Sequence, residues 1–176
     1  MVVVSSGGPA NNRSYILKCG VSNDDQAGFQ AIGSTRGHIG FDHASRILAA
    51  QPFSVLLGAR LLAIAPGHAE LTVPIGENTR QHNGIAHGGL IAFLADAAVT
   101  FAAGSVGGEM VRTVDLTINY LRAARGEELV ARADVLHQGS RIIVARCDLF
   151  DRRGPDEIRC AAAQGTVTGP DHTGDP

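Results

Sequence analysis

The sequence predicts an α+β fold, an antiparallel β-sheet wrapped around one long central helix. Three observations carry that prediction. Residues 87 to about 103 are mostly Ala, Leu, Ile and Phe on nearly every side, and a helix that is apolar all round is a buried one. The stretch RTVDLTINYLR (112–122) alternates cleanly: Val114, Leu116, Ile118 and Tyr120 share one face, and Thr113, Asp115, Thr117 and Asn119 the other. The order along the chain is two strands, the buried helix, then four strands. That lacks the strand–helix alternation a parallel doubly wound sheet needs.

The elements follow in sequence. Residues 1–40 are rich in Gly, Ser, Asn and Asp and read as a flexible extension, while 170–176 read as a disordered tail. The compact domain is 41–169. DHASRILAA (42–50) suits a short helix, with Pro52 as its stop. ARLLAIA (59–65) and HAELTVPI (68–75) flank the turn signal Pro66-Gly67 and form a predicted hairpin. GENTRQHNG (76–84) is a loop by composition. After the long helix and the 112–122 strand come LVARADVLH (129–137), RIIVARCDLF (141–150) and IRCAAAQGTVT (158–168). Their connections, RGEE, QGS and DRRGPDE, are short and suit an antiparallel meander.

Composition narrows the function. With 176 residues the chain favours one domain and buries a core without disulfides or metal. A net charge of −2 with scattered Lys and Arg lacks the basic stripe of a nucleic-acid binder. The three cysteines, Cys19, Cys147 and Cys160, are odd in number and far apart, so a reducing, cytoplasmic setting is expected. MVVVSS lacks the basic start of a signal peptide. No stretch is expected to approach the ~20 apolar residues of a membrane span, so no membrane partner is expected.

No G-x-S-x-G, P-loop, H-E-x-x-H or G-x-G-x-x-G is present. His82 and His87 lack nearby co-ligands, so no metal site is predicted. Asp96 stands apart: a lone carboxylate within an apolar helix is costly unless it is paired or hydrogen-bonded. It lies too far from the helix start to cap it. Either a structural partner holds it, or it is a partly desolvated general base. Thr100 lies four residues on, on the same face, where a hydroxyl reaches the carboxylate or a water on it. His87-Gly88-Gly89 sits where the helix begins. The first helical N–H groups have no intrahelical partner, and two glycines let a ligand approach them closely. Gly88 and Asp96 are eight residues apart, about 12 Å along the helix. One carbonyl cannot meet both on a single chain. If both act on one substrate, the site is composite, between two copies of the chain.

QHNGIAHGGLIAFLADAA (81–98) resembles the signature of hotdog-fold acyl-CoA thioesterases of the phenylacetate-pathway (PaaI-like) type: a polar amide residue, then His-Gly-Gly, then an apolar helix with an acid nine residues after the His. The resemblance covers about residues 42–169. It implies a hotdog fold and hydrolysis of an acyl-CoA thioester. Asp96 would be general base or nucleophile, and the Gly88 N–H beside His87 would polarise the thioester carbonyl. Gln81 matches the amide position, with Asn83 and Gly89 in the same motif. Gln81 is also similar to the 4-hydroxybenzoyl-CoA type, whose acid is usually Glu, so the subtype is mixed. Thr100 and Thr113 match positions that hold a hydroxyl near the attacking water. Gly139, Ser140 and Arg141 match a turn that contacts CoA, and turn amides with one Arg suit phosphate. The implied partners are acyl-CoA and a second copy in a homodimer, with a homotetramer as the fuller assembly. No cofactor is implied beyond the CoA of the substrate. A hotdog module that binds acyl-CoA without hydrolysing it is the alternative.

Overall fold

The computed structural model describes residues 39–169. The predicted extension and tail lie outside the described residues, apart from the two residues before the first helix. That helix, α1 (Phe41–Ala49), buries Ala44 and Leu48. Pro52 ends it as expected but also opens a second helix that the sequence reading missed, α2 (Pro52–Leu57). Proline is well placed in a first helical turn, where its missing N–H is not needed. The buried Ser54 hydroxyl donates to Gln51 Oε1 at 2.7 Å, and Gly58 stops the helix at φ 68°.

Strands β1 (Arg60–Ala65) and β2 (His68–Pro74) form the expected hairpin through Gly67 at φ 76°. A 3₁₀ turn at Glu77–Thr79 interrupts the predicted loop. Helix α3 (Gly88–Gly107) runs one turn beyond its predicted end. Then come β3 (Arg112–Tyr120), β4 (Glu128–Gln138), β5 (Ile142–Arg153) and β6 (Asp156–Thr168). Most of DRRGPDE, read as a connection, is strand, and the β5–β6 turn is tightened at Gly154.

All six strands form one antiparallel sheet in the order β1-β2-β4-β5-β6-β3. The predicted meander holds for β4-β5-β6 and fails at β3. That strand pairs with β6 at the far edge rather than with β4. The chain gets there through α3 and returns to β4 along the end of the sheet, where Leu121 and Arg122 both donate backbone N–H to the Cys160 carbonyl. A short link therefore did not mean adjacent strands.

Helix α3 packs across the concave face. Leu94, Ala95, Ala98 and Val99 are fully buried with Leu71, Val73, Leu129, Leu149 and Val167 of the sheet. Gly165 allows β6 to come close: a β-carbon there would stand 2.8 Å from Val99 Cγ1. At 20 residues α3 is long and apolar enough to cross a membrane, contrary to the expectation that no stretch would be. Its composition instead reflects the sheet curled around it. The opposite face of the sheet carries ion pairs, among them Arg152 with Glu128 and Glu157, and Arg132 with Glu157 and Glu70.

Burial round α3 is incomplete on one stripe. Ala92, Phe93, Asp96, Ala97 and Thr100 are only half-buried, and Gly89 is exposed. The alternation of β3 is real, but Val114 is 64% exposed and Tyr120 56%, while Leu116 and Ile118 are half-buried. A bulge between Thr113 and Asp115 shifts the register there.

Candidate active site

The predicted residues fall into three groups. The first surrounds Asp96, which is half-buried rather than enclosed in the single chain. The Thr113 hydroxyl, from the start of β3, donates to Asp96 Oδ1 at 2.8 Å. Thr100 Oγ1 lies 3.0 Å from Thr113 Oγ1. A hydroxyl has a single proton, and that of Thr113 goes to the carboxylate, so Thr100 donates to Thr113. Thr100 thus supports the acid through Thr113. The spacing on the helix had pointed to a contact with the carboxylate or with a water on it, and the partner found is the Thr113 hydroxyl.

The second group lies at the start of α3. His87 is the N-cap residue: its Nδ1 accepts from Gly89 N–H at 2.9 Å, and its carbonyl accepts from Leu90 and Ile91 N–H at 2.9 and 3.4 Å. Histidine here performs the capping that Ser, Thr, Asp or Asn usually supplies. Of the first-turn donors, Gly88 N–H is the one left without a protein acceptor among the described residues. Gly88 lines a cavity of about 440 Å³ together with Gln81, Ile85, Ile91, Tyr120 and Arg122. The loop leading into it is tied down. His87 N–H donates to the Thr79 carbonyl, Ala86 N–H to that of Ala124, and Arg80 reaches the carbonyls of Ile75, Gly84 and Gly126. Asn83 is exposed on the turn and lines no part of the cavity.

The third group, Gly139, Ser140 and Arg141, is an exposed turn between β4 and β5. Gln138 Nε2 beside it donates to the Val106 carbonyl at 3.0 Å, which puts the turn at the C-terminal end of α3. Gly88 is at the other end of the helix, so one chain does not unite the three groups.

Tyr120 was not singled out as a site residue. Its hydroxyl donates to the Gly88 carbonyl at 3.2 Å, and its ring would meet a β-carbon on Gly88 at 3.6 Å. The alternation of 112–122 placed Tyr120 on the apolar face, but a contact across 32 residues leaves no local signal. Arg122, also on the cavity wall, was missed for the same reason.

The Thioesterase superfamily model matches residues 83–158. A solved thioesterase family protein from Silicibacter pomeroyi is 32% identical with a TM-score of 0.69, over 73% of this chain and 97% of that one. The chain belongs to the thioesterase superfamily. This thioesterase is also 30% identical to the medium/long-chain acyl-CoA thioesterase YigI of Salmonella typhimurium over 137 residues, covering 65% of this chain and 83% of the relative. It is 30% identical to the 1,4-dihydroxy-2-naphthoyl-CoA hydrolase of Escherichia coli over 100 residues, covering 56% and 74%. The E. coli PaaI structure shares its fold at 23% identity, with a TM-score of 0.65 over 74% of this chain and 96% of that one. The expected hotdog fold, a sheet around one long helix, is thereby established.

Proposed function

We propose that this thioesterase hydrolyses an acyl-CoA to free acid and CoA at a site shared by two copies of the chain. The observation that carries the reading is a division of labour along α3. Thr113 braces Asp96, while the Gly88 N–H, which has no acceptor among the described residues, lies about 12 Å away on the same helix. The thioester oxygen accepts from Gly88 N–H of one copy, with Gln81 orienting the thioester or the water. Asp96 of the other copy takes a proton from water as the water oxygen attacks the carbonyl carbon. Negative charge collects on the oxygen facing Gly88. When the C–S bond breaks, the CoA sulfur leaves and receives the proton from Asp96. Attack by the carboxylate itself, through an anhydride that water then opens, uses the same residues. His87 acts by holding the helix start in place. The route uses no metal, and CoA enters only as part of the substrate.

The single chain offers the surface such a pairing needs. Among the described residues β3 is an edge strand, with one side paired to β6, and it carries exposed Val114 and Tyr120. Two β3 strands joined antiparallel about a two-fold axis continue the sheet and bring the half-exposed stripes of α3 together. With Gly88 opposite the second copy's Asp96, that copy's α3 C-terminus at Gly107 extends about 17 Å past Gly88. Its Gly139–Arg141 turn then lies where the CoA arm leaves the site. Assembly of dimers into a homotetramer, and a cytoplasmic setting for a chain whose Cys147 and Cys160 are free thiols, complete the proposal.

Asp96→Asn tests the chemistry. We expect kcat to fall by roughly 10²–10⁴, the loss typical of a general base, with the fold intact. An unchanged rate removes Asp96 from the mechanism. Tight acyl-CoA binding by the unaltered protein without thiol release would instead mark a binding module.

A further inference from the structure

We propose that the edge-to-face pair Phe53–Phe93 ends the acyl pocket and limits the length of the acyl chain; this rests on the hydrolytic reading above. Phe93 lies three residues before Asp96, on the same half-exposed stripe and about 4.5 Å along the helix. Its ring is met by Phe53 of α2, with centroids 5.2 Å apart and planes at 87°. That geometry is a favourable one for aromatic rings and holds both side chains in place.

Helix α2 is built to present this wall. Ser54 turns inward, 1% exposed, while Phe53, Val55 and Leu56 are 57%, 60% and 76% exposed. A six-residue helix with three such residues forms an apolar patch, and such patches mark binding surfaces. This patch is continuous, through the Phe53–Phe93 contact, with the face of α3 that carries Asp96. The occupant that the chemistry requires there is apolar and attached to a carbonyl within reach of that acid, which is the acyl chain of the substrate. A chain running from the carbonyl past Phe93 meets the Phe53 ring, and the pair stops it.

The test uses the full-length chain and a series of saturated acyl-CoAs from four to sixteen carbons. For Phe53→Ala and Phe93→Ala we expect the optimum of kcat/KM to move to longer chains. Shorter substrates should stay within a few-fold, and longer ones gain about four-fold for each methylene newly buried. Phe53→Leu should give a smaller shift of the same sign. An unchanged length profile in folded variants overturns the proposal. So does an equal loss at every length, which would mean a purely structural pair. Loss of the dimer in Phe53→Glu, seen by sedimentation, also overturns it, because the patch would then be a contact between copies. Affinities for non-hydrolysable thioether acyl-CoA analogues of the same lengths keep the two readings separate. If the unaltered chain releases no thiol, hydrolysis fails, while the shift in length preference still appears in Kd or is refuted there.

Discussion

Replacing Thr113 with valine removes the hydroxyl that reaches Asp96 and keeps the branched shape of the side chain. The bond is 2.8 Å long and its acceptor is a carboxylate. Hydrogen bonds to charged groups contribute about 1.5–3 kcal/mol net. Thr113 is exposed in the single chain, which puts its bond at the low end, about 1.5 kcal/mol or roughly ten-fold in rate. Thr100→Val removes a neutral donor one step further away, for about 1 kcal/mol and roughly five-fold. Because Thr100 reaches Asp96 only through Thr113, the two losses should not multiply. The double variant should fall about ten-fold, like Thr113→Val alone, rather than about fifty-fold. The assay is steady-state thiol release from an acyl-CoA. The losses should fall in kcat, with KM within about two-fold, since the hydroxyls position the acid and do not hold substrate. Thr113→Ser should recover most of the rate. Fully multiplicative losses would refute the relay from Thr100 through Thr113 to Asp96.

Two further outcomes concern stability and the thiols. Burial pushes the Glu128 carboxyl up, but the Thr72 hydroxyl and the charges of Arg152 and Arg60 outweigh it, leaving the group below the ordinary 4.5. The Arg132 hydrogen bond chiefly holds Glu157 below 4.5 as well, against burial and with help from Arg152. Groups depressed on folding stabilise the fold above their unfolded value, and that contribution is lost as pH falls through the folded one. Thermal unfolding should thus give a Tm that does not respond to these two groups in neutral solution and drops below pH 4.5, with a shallower drop in Glu157→Gln; a Tm that holds to pH 3 would contradict the ion-pair ladder. Burial raises the thiols of Cys147 and Cys160 to about 12 and about 11. In a Cys19→Ser background, a disulfide reagent at about pH 8 should label neither until denaturant is added. Rapid labelling of the native protein would contradict the packing of β5 against β6.

The long helix and the strands were legible because their periodicities are local. Residues 87–103 are apolar on nearly every side, which marks a helix out of contact with water, and 112–122 alternated as a strand does. What failed depended on an ambiguous local signal or on distant partners. Pro52 was a stop signal and also a helix start, since a missing N–H suits both positions. The link after β3 was short enough for a hairpin, yet β3 pairs with β6, and no local signal separates those outcomes. At the site, Asp96 and the Gly88 N–H were legible as an unexpected acid and a helix start. The hydroxyl that holds Asp96 was less so. Thr100 had the right spacing, but β3 supplied Thr113, whose hydroxyl bonds the carboxylate while Thr100 bonds Thr113. His87 drew notice as part of a motif, and its capping bond to Gly89 N–H became visible only in three dimensions.

The most direct test of the account is to mix two inactive variants, Asp96→Ala and Gly88→Pro. Proline at Gly88 deletes the N–H and little else. The position is the first of the helix, where proline is favoured, and the preceding His87 is extended at φ −66° and ψ 138°, as a residue before proline must be. A β-carbon there makes ordinary contact with Tyr120. Each dimer formed from one copy of each variant would pair an intact Gly88 N–H with an intact Asp96 at one of its two sites. With equal amounts and full exchange, half the dimers are mixed, so the account predicts recovery of about a quarter of the original activity. Exchange proven by mass, with no activity recovered, would contradict a site shared between two chains.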